Sequence, residues 1–232
     1  MQLKFISLNL AGYKNWKSRQ QKIIEFINKT DPDVVLLQEV RFDPQEFAYS
    51  QSILINKLLE KASPYTQTTV SRFYQPNAGS AYREGLATLS KYPIISSESL
   101  VLTKRPDDKH SRIIQNIDLT IGGHQVKLAN IHLSNNKYSS EQLRELLDIF
   151  SSRQESRIIA GDFNIFNLEE EKDSYAQSYI SSTELKKYIS FPAENLTLDY
   201  VLAPKKFAIY SFETHEGLSD HNALAFTIEL PE

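Results

Sequence analysis

Short apolar runs recur along the chain and predict strands at "KFISLNL" (4–10), "DVVLLQEV" (33–40), "GLATLS" (85–90), "RIIQNIDL" (112–119), "QVKLANIHL" (125–133), "RIIAGD" (157–162), "LDYVL" (198–202), "FAIYSF" (207–212) and "NALAFTIEL" (222–230). Elsewhere apolar residues fall three or four apart, which predicts amphipathic helices. "SRQQKIIEFINK" (18–29) puts Ile23, Ile24 and Ile27 on one stripe and stops before Asp31-Pro32, and "EFAYSQSILINKLLEKA" (46–62) and "SSEQLRELLDIFSS" (139–152) follow the same pattern. In the last, Ser139 or Ser140 followed by Glu141 and Gln142 resembles an N-terminal capping arrangement. Two early helices, many strands and one later helix do not alternate as a doubly wound parallel sheet does, so the pattern predicts a mixed α/β sandwich. No repeat, low-complexity tract or Pro/Gly/Ser linker divides the sequence, and residues 1–232 are expected to form one domain.

Several predicted strands finish on a lone polar group. Asn9 ends the first, Glu39 the second, His132 follows "VKLANI", and "RIIAGD" delivers Asp162 with Asn164 just beyond. Two later segments show the mirror arrangement, with Asp199 opening "LDYVL" and Ser219-Asp220-His221 preceding "NALAFTIEL". If those strands run antiparallel to the others, their starts lie at the edge where the others end, and all these groups converge. "GDFN" by itself reads equally well as a turn, since Asp and Asn bond their own backbone after glycine. Gathered at one edge, carboxylates, amides and imidazoles require an electropositive centre among them. Oxygen-rich ligation suits Mg²⁺, with Mn²⁺ as a substitute, better than Zn²⁺. Asp162 and Asn164 share a direction in extended chain while Phe163 points to the core. Asp220 and His221, being adjacent, both face the site only where the backbone is irregular.

Composition narrows the chemistry. A net charge of −3 supplies no global field for polyanions, so contact with nucleic acid depends on local patches. The absence of cysteine removes thiolate ligands and nucleophiles and fits a cytoplasmic protein. Asn9 interrupts the only apolar stretch near the start, which argues against a signal peptide, and no apolar run reaches transmembrane length. A monomer is expected.

Taken in order and at their separations, "SLNLAGYKN", "LLQEV", "EGLATLSKYPI", "NIHL", "GDFN", "LDYVL" and "SDH" resemble the endonuclease/exonuclease/phosphatase superfamily, which includes DNase I-like nucleases, deadenylases, tyrosyl-DNA phosphodiesterases, neutral sphingomyelinases and inositol polyphosphate 5-phosphatases. Any one motif is weak; the ordered set spans essentially the whole chain. The resemblance implies a four-layer α/β/β/α sandwich of two packed mixed, mainly antiparallel sheets with its site at one sheet edge. It further implies that Glu39 is the main metal ligand, with Asn9 beside it and Asp220 contributing. Asp162 orients or deprotonates the attacking water, and Asn164 holds a phosphate oxygen. His221, paired with Asp199, stays protonated and stabilises the pentacovalent phosphorus, while His132 serves the leaving oxygen. These roles fit in-line phosphoryl transfer.

Arg112 is a further candidate for a bidentate phosphate contact, and "TKRPDDKHSR" (103–112), the most basic loop-like stretch, is a candidate for contacting a phosphate backbone or polyphosphate head group, with a solvated hairpin loop as the alternative. His110, His124 and His215 have no motif support, "EEEKD" (169–173) reads as a solvated helix start, and Trp16 with Tyr13 is expected to pack beside the first helix. Abasic-site nucleases of the superfamily carry an acid two residues after the asparagine that is Asn9 here, where this chain has Ala11, and they lack the strand histidine that is His132; that branch is disfavoured. The expected activity is a Mg²⁺-dependent phosphodiesterase acting on DNA or RNA. A phospholipid head-group or inositol phosphate hydrolase is the alternative, and a non-catalytic binding module, for which the charged set is too complete, comes last.

Overall fold

The computed structural model describes residues 1–44, 48–75, 81–108 and 111–231. In chain order its elements are β1 (Gln2–Asn9), α1 (Trp16–Thr30), β2 (Val34–Phe42), α2 (Gln51–Leu58), β3 (Tyr65–Tyr74), β4 (Tyr82–Ser90), β5 (Ile94–Val101), β6 (Ile113–Ile121), β7 (His124–His132), α3 (Ser139–Ser152), β8 (Ile158–Asp162), α4 (Lys172–Tyr175), β9 (Tyr179–Ser181), β10 (Asp199–Pro204), β11 (Ala208–His215) and β12 (Ala223–Glu229). They form two six-stranded sheets, ordered β11-β12-β1-β2-β4-β3 and β5-β6-β7-β8-β10-β9. Each sheet is mixed: β1 and β2 are parallel in the first, β7 and β8 in the second, and the other pairings are antiparallel.

Parallel neighbours need a crossover, and α1 and α3 supply the two required here. That explains why the central strands read as unbroken apolar runs, because both of their faces are buried. Along β1 and β2, Leu3, Phe5, Val34 and Leu36 meet Ile117, Leu128 and Ile158 from the other sheet. The alternate residues Ile6, Leu8, Val35 and Leu37 pack under Ile23, Ile24 and Ile27 of α1. On the far side Leu143, Leu146 and Phe150 of α3 cover Ala129, Ile131 and Ile159. The layers are therefore helix, sheet, sheet, helix. Trp16 is buried with its ring 6.3 Å from that of Tyr13, as expected beside α1.

Three strands escape the sequence pattern, namely β3, β5 and β9, and all three are sheet edges. β3 and β5 are largely exposed, so they carry no apolar run, and β9 is three residues long. The second helix is shorter than its periodicity suggests: Ser50 caps it by accepting from Ile53 N, and Leu59 is already extended. Of the residues before it, 45–47 lie outside the described residues. The capping arrangement expected at α3 does not form. Tyr138 is the cap residue and makes no side-chain cap bond; Ser139 Oγ donates to Asn136 O, Glu141 pairs with Arg105, and Gln142 Oε1 accepts from Ser134 N. "EEEKD" spans a short 3₁₀ turn and α4 as predicted, though Glu171 is tied to Arg144 at 2.9 Å. Among the described residues, no helix is long and apolar enough to cross a membrane.

Gly161, next to Asp162 at the end of β8, is tightly packed. It has φ +145°, and a Cβ there would lie 2.1 Å from Ile131 O on the neighbouring parallel strand. Gly161→Ala is expected to destabilise the protein by about 2–3 kcal/mol through forced displacement of β8 from β7. Gly123→Ala, at φ +84° with nothing within 4 Å, is expected to cost about 1 kcal/mol for its backbone alone. Urea unfolding of the two variants measures the difference; equal losses would show that β7 and β8 are not packed this closely.

Candidate active site

Side chains facing the space between the sheets change from apolar to polar as each strand approaches one edge. In β1 the inward column runs Phe5, Ser7, Asn9; in β7 it runs Leu128, Asn130, His132; in β8, Ala160 is followed by Asp162; and β10 runs the other way, from Asp199 to Val201. Strand register aligns these ends, since Asn9 pairs with Gln38, His132 with Asp162, and Asp199 with Asp162. The antiparallel course of β10 inferred from sequence brings its first residue to the last residue of β8. Glu39 follows Gln38 at a register shift in β2 and has φ 49°. A left-handed glutamate costs on the order of 1 kcal/mol or more, and it turns a residue of outward parity toward the cleft.

Directly beneath lies a buried amide layer that bonds one sheet to the other. Gln38 Nε2 donates to Asn130 Oδ1 at 2.8 Å, and Asn130 Nδ2 donates to Ala87 O at 3.1 Å. Gln115 Oε1 accepts from Thr88 Oγ1 at 2.7 Å, and Gln115 Nε2 donates to Thr69 Oγ1 at 2.9 Å. A layer built on buried amides fixes register more than it adds stability, because each buried polar atom is costly in any other alignment.

Asp162 occupies the centre. Its Oδ2 accepts Asn9 Nδ2 at 2.9 Å and lies 3.5 Å from His132 Nε2 and 3.9 Å from His221 Nε2; its Oδ1 accepts Asn164 N at 3.0 Å. Asn9 Nδ2 also reaches Glu39 Oε1 at 3.4 Å, and that oxygen is 3.9 Å from His132 Nε2. His221 Nδ1 meets Asp199 Oδ2 at 2.8 Å. Asp220 projects from an irregular segment before β12, as the adjacency of Asp220 and His221 required, and pairs with exposed Lys14 at 3.0 Å. Arg112 is buried, lines the same cleft of about 420 Å³, and its Nε meets no acceptor among the described residues. All nine candidates are thus within one cleft or its wall. Of the basic stretch 103–112, Thr103 and Arg105 are engaged by Glu145 and Glu141 of α3 and Asp108 by Ser134, while Lys109 and His110 lie outside the described residues. Within its described part, Arg112 is what this stretch brings to the cleft.

Sequence reasoning missed several residues that shape the site. Arg72 on edge strand β3 and Glu84 on β4 are paired at 2.6 Å and line the cleft. Ser190 Oγ accepts from both Leu198 N and Asp199 N, while Ser190 O accepts Asn222 N, so one buried serine joins the start of β10 to the His221 segment. Phe191 lies against the His221 ring at 4.9 Å. Arg72, Ser190 and Phe191 sit on an exposed edge strand or in loops, where no periodicity marks them, while Glu84 lies on interior strand β4 just ahead of the apolar run 85–90.

Electrostatics follow from burial. Desolvation, with Asp199 nearby, pushes the Asp162 carboxyl up to about 7 against the opposing pull of His221. Burial, then Glu84, raises Glu39. Burial opposes charge on His221, and Asp199, with Asp162 and Asp220, overcomes it to bring the ring to about 10. Burial would likewise raise Asp220, but its bond to Lys14 and the charge of His221 hold it below its usual value. Burial lowers the Arg112 guanidinium. Asp162, Asp199 and His221 offer ligand atoms within 4.8 Å of one another, a spacing that suits a metal ion. The proton and the ion are rivals for that imidazole. With Nδ1 bonded to Asp199 and the ring charged at neutral pH, the trio reads as an ion-paired imidazolium. Glu39 and Asp220, oxygen donors at the mouth, fit a hard divalent cation better, with the Asn9 amide between Glu39 and Asp162.

An oxygen-rich acidic cluster with two imidazoles and a buried guanidinium, at the edge of two packed sheets, defines a phosphoester-hydrolase type of site. The model of the endonuclease/exonuclease/phosphatase family matches residues 6–221, and the chain belongs to that family. Similar solved structures include an endonuclease/exonuclease/phosphatase family protein from Leptotrichia buccalis C-1013-b (17% identity, TM-score 0.80, covering 98% of this chain and 100% of that one). The human Nocturnin catalytic domain with bound sulfate anion is 20% identical (TM-score 0.74, 99% and 94% covered), and D. rerio TDP2 complexed with single strand DNA product is 18% identical (TM-score 0.71, 98% and 99% covered). At these identities the likeness is one of fold. Comparison with curated protein sequences finds no match.

Asp162→Asn keeps the shape of the central group and removes its charge. With a folded value of about 7 against an ordinary 3.8, the contribution of this carboxyl to stability falls as pH rises from 4 to 7 and levels off above. Metal-free Asp162→Asn is therefore expected to melt higher than wild type at pH 8, with the gap closing as pH falls through 7 toward 4. Thermal melts across that range check this; a variant less stable at pH 8 would contradict it.

Proposed function

We propose that the cleft hydrolyses phosphodiesters of nucleic acid by in-line attack of water, with Mg²⁺ held by Glu39 and Asp220 beside Asn9. The observation that carries this reading is the meeting of donors from separate strands and loops on the single carboxylate of Asp162. When bound, the cation supplies charge neutralisation and Lewis acidity at the phosphate oxygens. Asp162, with one oxygen toward Asn9 and the histidines, orients water and accepts its proton. Asn164 has one amide N–H committed to Leu133 O at 3.0 Å and a second for a non-bridging phosphate oxygen. His221, kept charged by Asp199, opposes the negative charge that builds around phosphorus. His132 passes a proton to the departing oxygen. Arg112, whose guanidinium lines the cleft, holds a phosphate oxygen on the opposite side of His132 from Asn164. A nucleic-acid substrate accords with the family and with the DNA product named for the similar D. rerio structure.

A substrate panel with Mg²⁺ tests this. Oligonucleotide turnover is expected with the metal and is lost with chelator. Glu39→Ala and His221→Ala are each expected to lose about a hundredfold or more in kcat while their circular dichroism stays native. Normal turnover by Glu39→Ala would overturn the metal assignment. Hydrolysis of sphingomyelin or inositol phosphates, with DNA and RNA inert, would move the same site to another phosphate ester.

A further inference from the structure

Past Asn164 the chain follows the rim of the catalytic cleft and borders a second depression. The loop at 163–168 is anchored from below: Phe163, Ile165 and Leu168 are buried, and Ile165 O accepts the Tyr200 hydroxyl at 2.8 Å. Among the apolar residues of this loop, Phe166 is turned outward and is 69% exposed. One exposed phenylalanine is ordinary on a soluble protein, so exposure alone carries nothing. Its position is informative, because Phe166 lines both the catalytic cleft and an adjoining recess of about 510 Å³.

Tyr188 and Tyr200 form the back of the recess, and Thr183, Lys187, Thr197 and Glu169 stand around them. Both tyrosine hydroxyls are already engaged, Tyr188 with Ser182 and Asp199 O, and Tyr200 with Ile165 O and Thr197 O. Tyr200 is itself buried, so the aromatic carbon surface that the recess presents comes from Tyr188 and Phe166. Hydroxyls, an ammonium and a carboxylate around aromatic surface match a planar heterocycle, which has a face to stack and donor and acceptor edges to bond. The cleft is also lopsided. Arg112 precedes β6, on one side of His132 in β7, while Phe166 follows β8 on the other. A charged phosphate chain suits the first flank and an aromatic group the second.

We propose that Phe166 and the recess behind it form a subsite for the heteroaromatic base of a nucleotide whose phosphate lies in the catalytic cleft. A base stacked on Phe166 has left its neighbours in the strand, so the favoured substrate is unpaired nucleic acid. The subsite deepens the nuclease reading and rests on it for the choice of polymer, but ring binding is measured separately from turnover.

Calorimetric titration with adenosine 5′-monophosphate and with ribose 5-phosphate, both with Mg²⁺, isolates the ring. Wild type is expected to bind the nucleotide about tenfold more tightly, Phe166→Ala to lose most of that preference, and Phe166→Trp to retain it. With single-stranded oligonucleotide, Phe166→Ala is expected to raise KM by a similar factor and to change kcat little. Equal affinity of wild type for the two ligands, or an undiminished preference in Phe166→Ala, overturns the subsite even where oligonucleotides are cleaved. A preference that depends on Phe166 in a protein inert toward DNA and RNA sustains the subsite and overturns the nuclease reading instead.

Discussion

The site depends on strand register. Because side chains alternate between faces, a slip of one residue in any central strand would send its terminal polar group into the helical layer and an apolar residue into the cleft. Asn9, His132, Asp162 and Asp199 converge because each is the inward-facing residue at the same edge of its sheet, opposite a partner of the same parity. Two devices hold this alignment: the apolar interleaving of the two sheets and the amide layer of Gln38, Asn130 and Gln115 above it. Buried amides accept few alignments, since a shifted one leaves donors unmet in a low-dielectric interior.

Above that layer the protein concentrates acids at a cost to its own stability. Asp162 and Glu39 are both raised by burial, and the two cationic groups closest in character to countercharges, His221 and Arg112, are themselves desolvated. Glu39 adds a left-handed backbone conformation to the same small volume. Such a cluster has no structural advantage that an apolar cap would not exceed. Its composition is instead what phosphoryl transfer requires: oxygen donors for a hard cation, a carboxylate for water, and charged donors for phosphate oxygens. Ser190 shows how economically the second half is aligned, one hydroxyl and one carbonyl joining the Asp199 strand to the His221 segment.

Much of this was legible in the sequence for a physical reason. Strands buried on both faces leave unbroken apolar runs, and a polar residue closing such a run is conspicuous, which is how Asn9, Glu39, His132 and Asp162 stood out. The antiparallel return of β10 made Asp199 readable as well. Edge strands β3 and β5 hid because they are largely exposed and carry few apolar residues, and with them went Arg72. Ser190, Phe191 and Phe166 belong to loops whose role arises from contacts across the fold, and single residues there carry no period. The expected cap of α3 failed because Gln142 turns to Ser134 and Glu141 to Arg105, long-range choices that local spacing does not encode.

Anomalous diffraction from crystals soaked in Mn²⁺ tests the central arrangement most directly. A peak within bonding distance of Glu39 and Asp220, with Asp162 free to face water and His221 still on Asp199, is the predicted result. A peak seated instead among Asp162, Asp199 and His221, or no peak in the cleft, would contradict it.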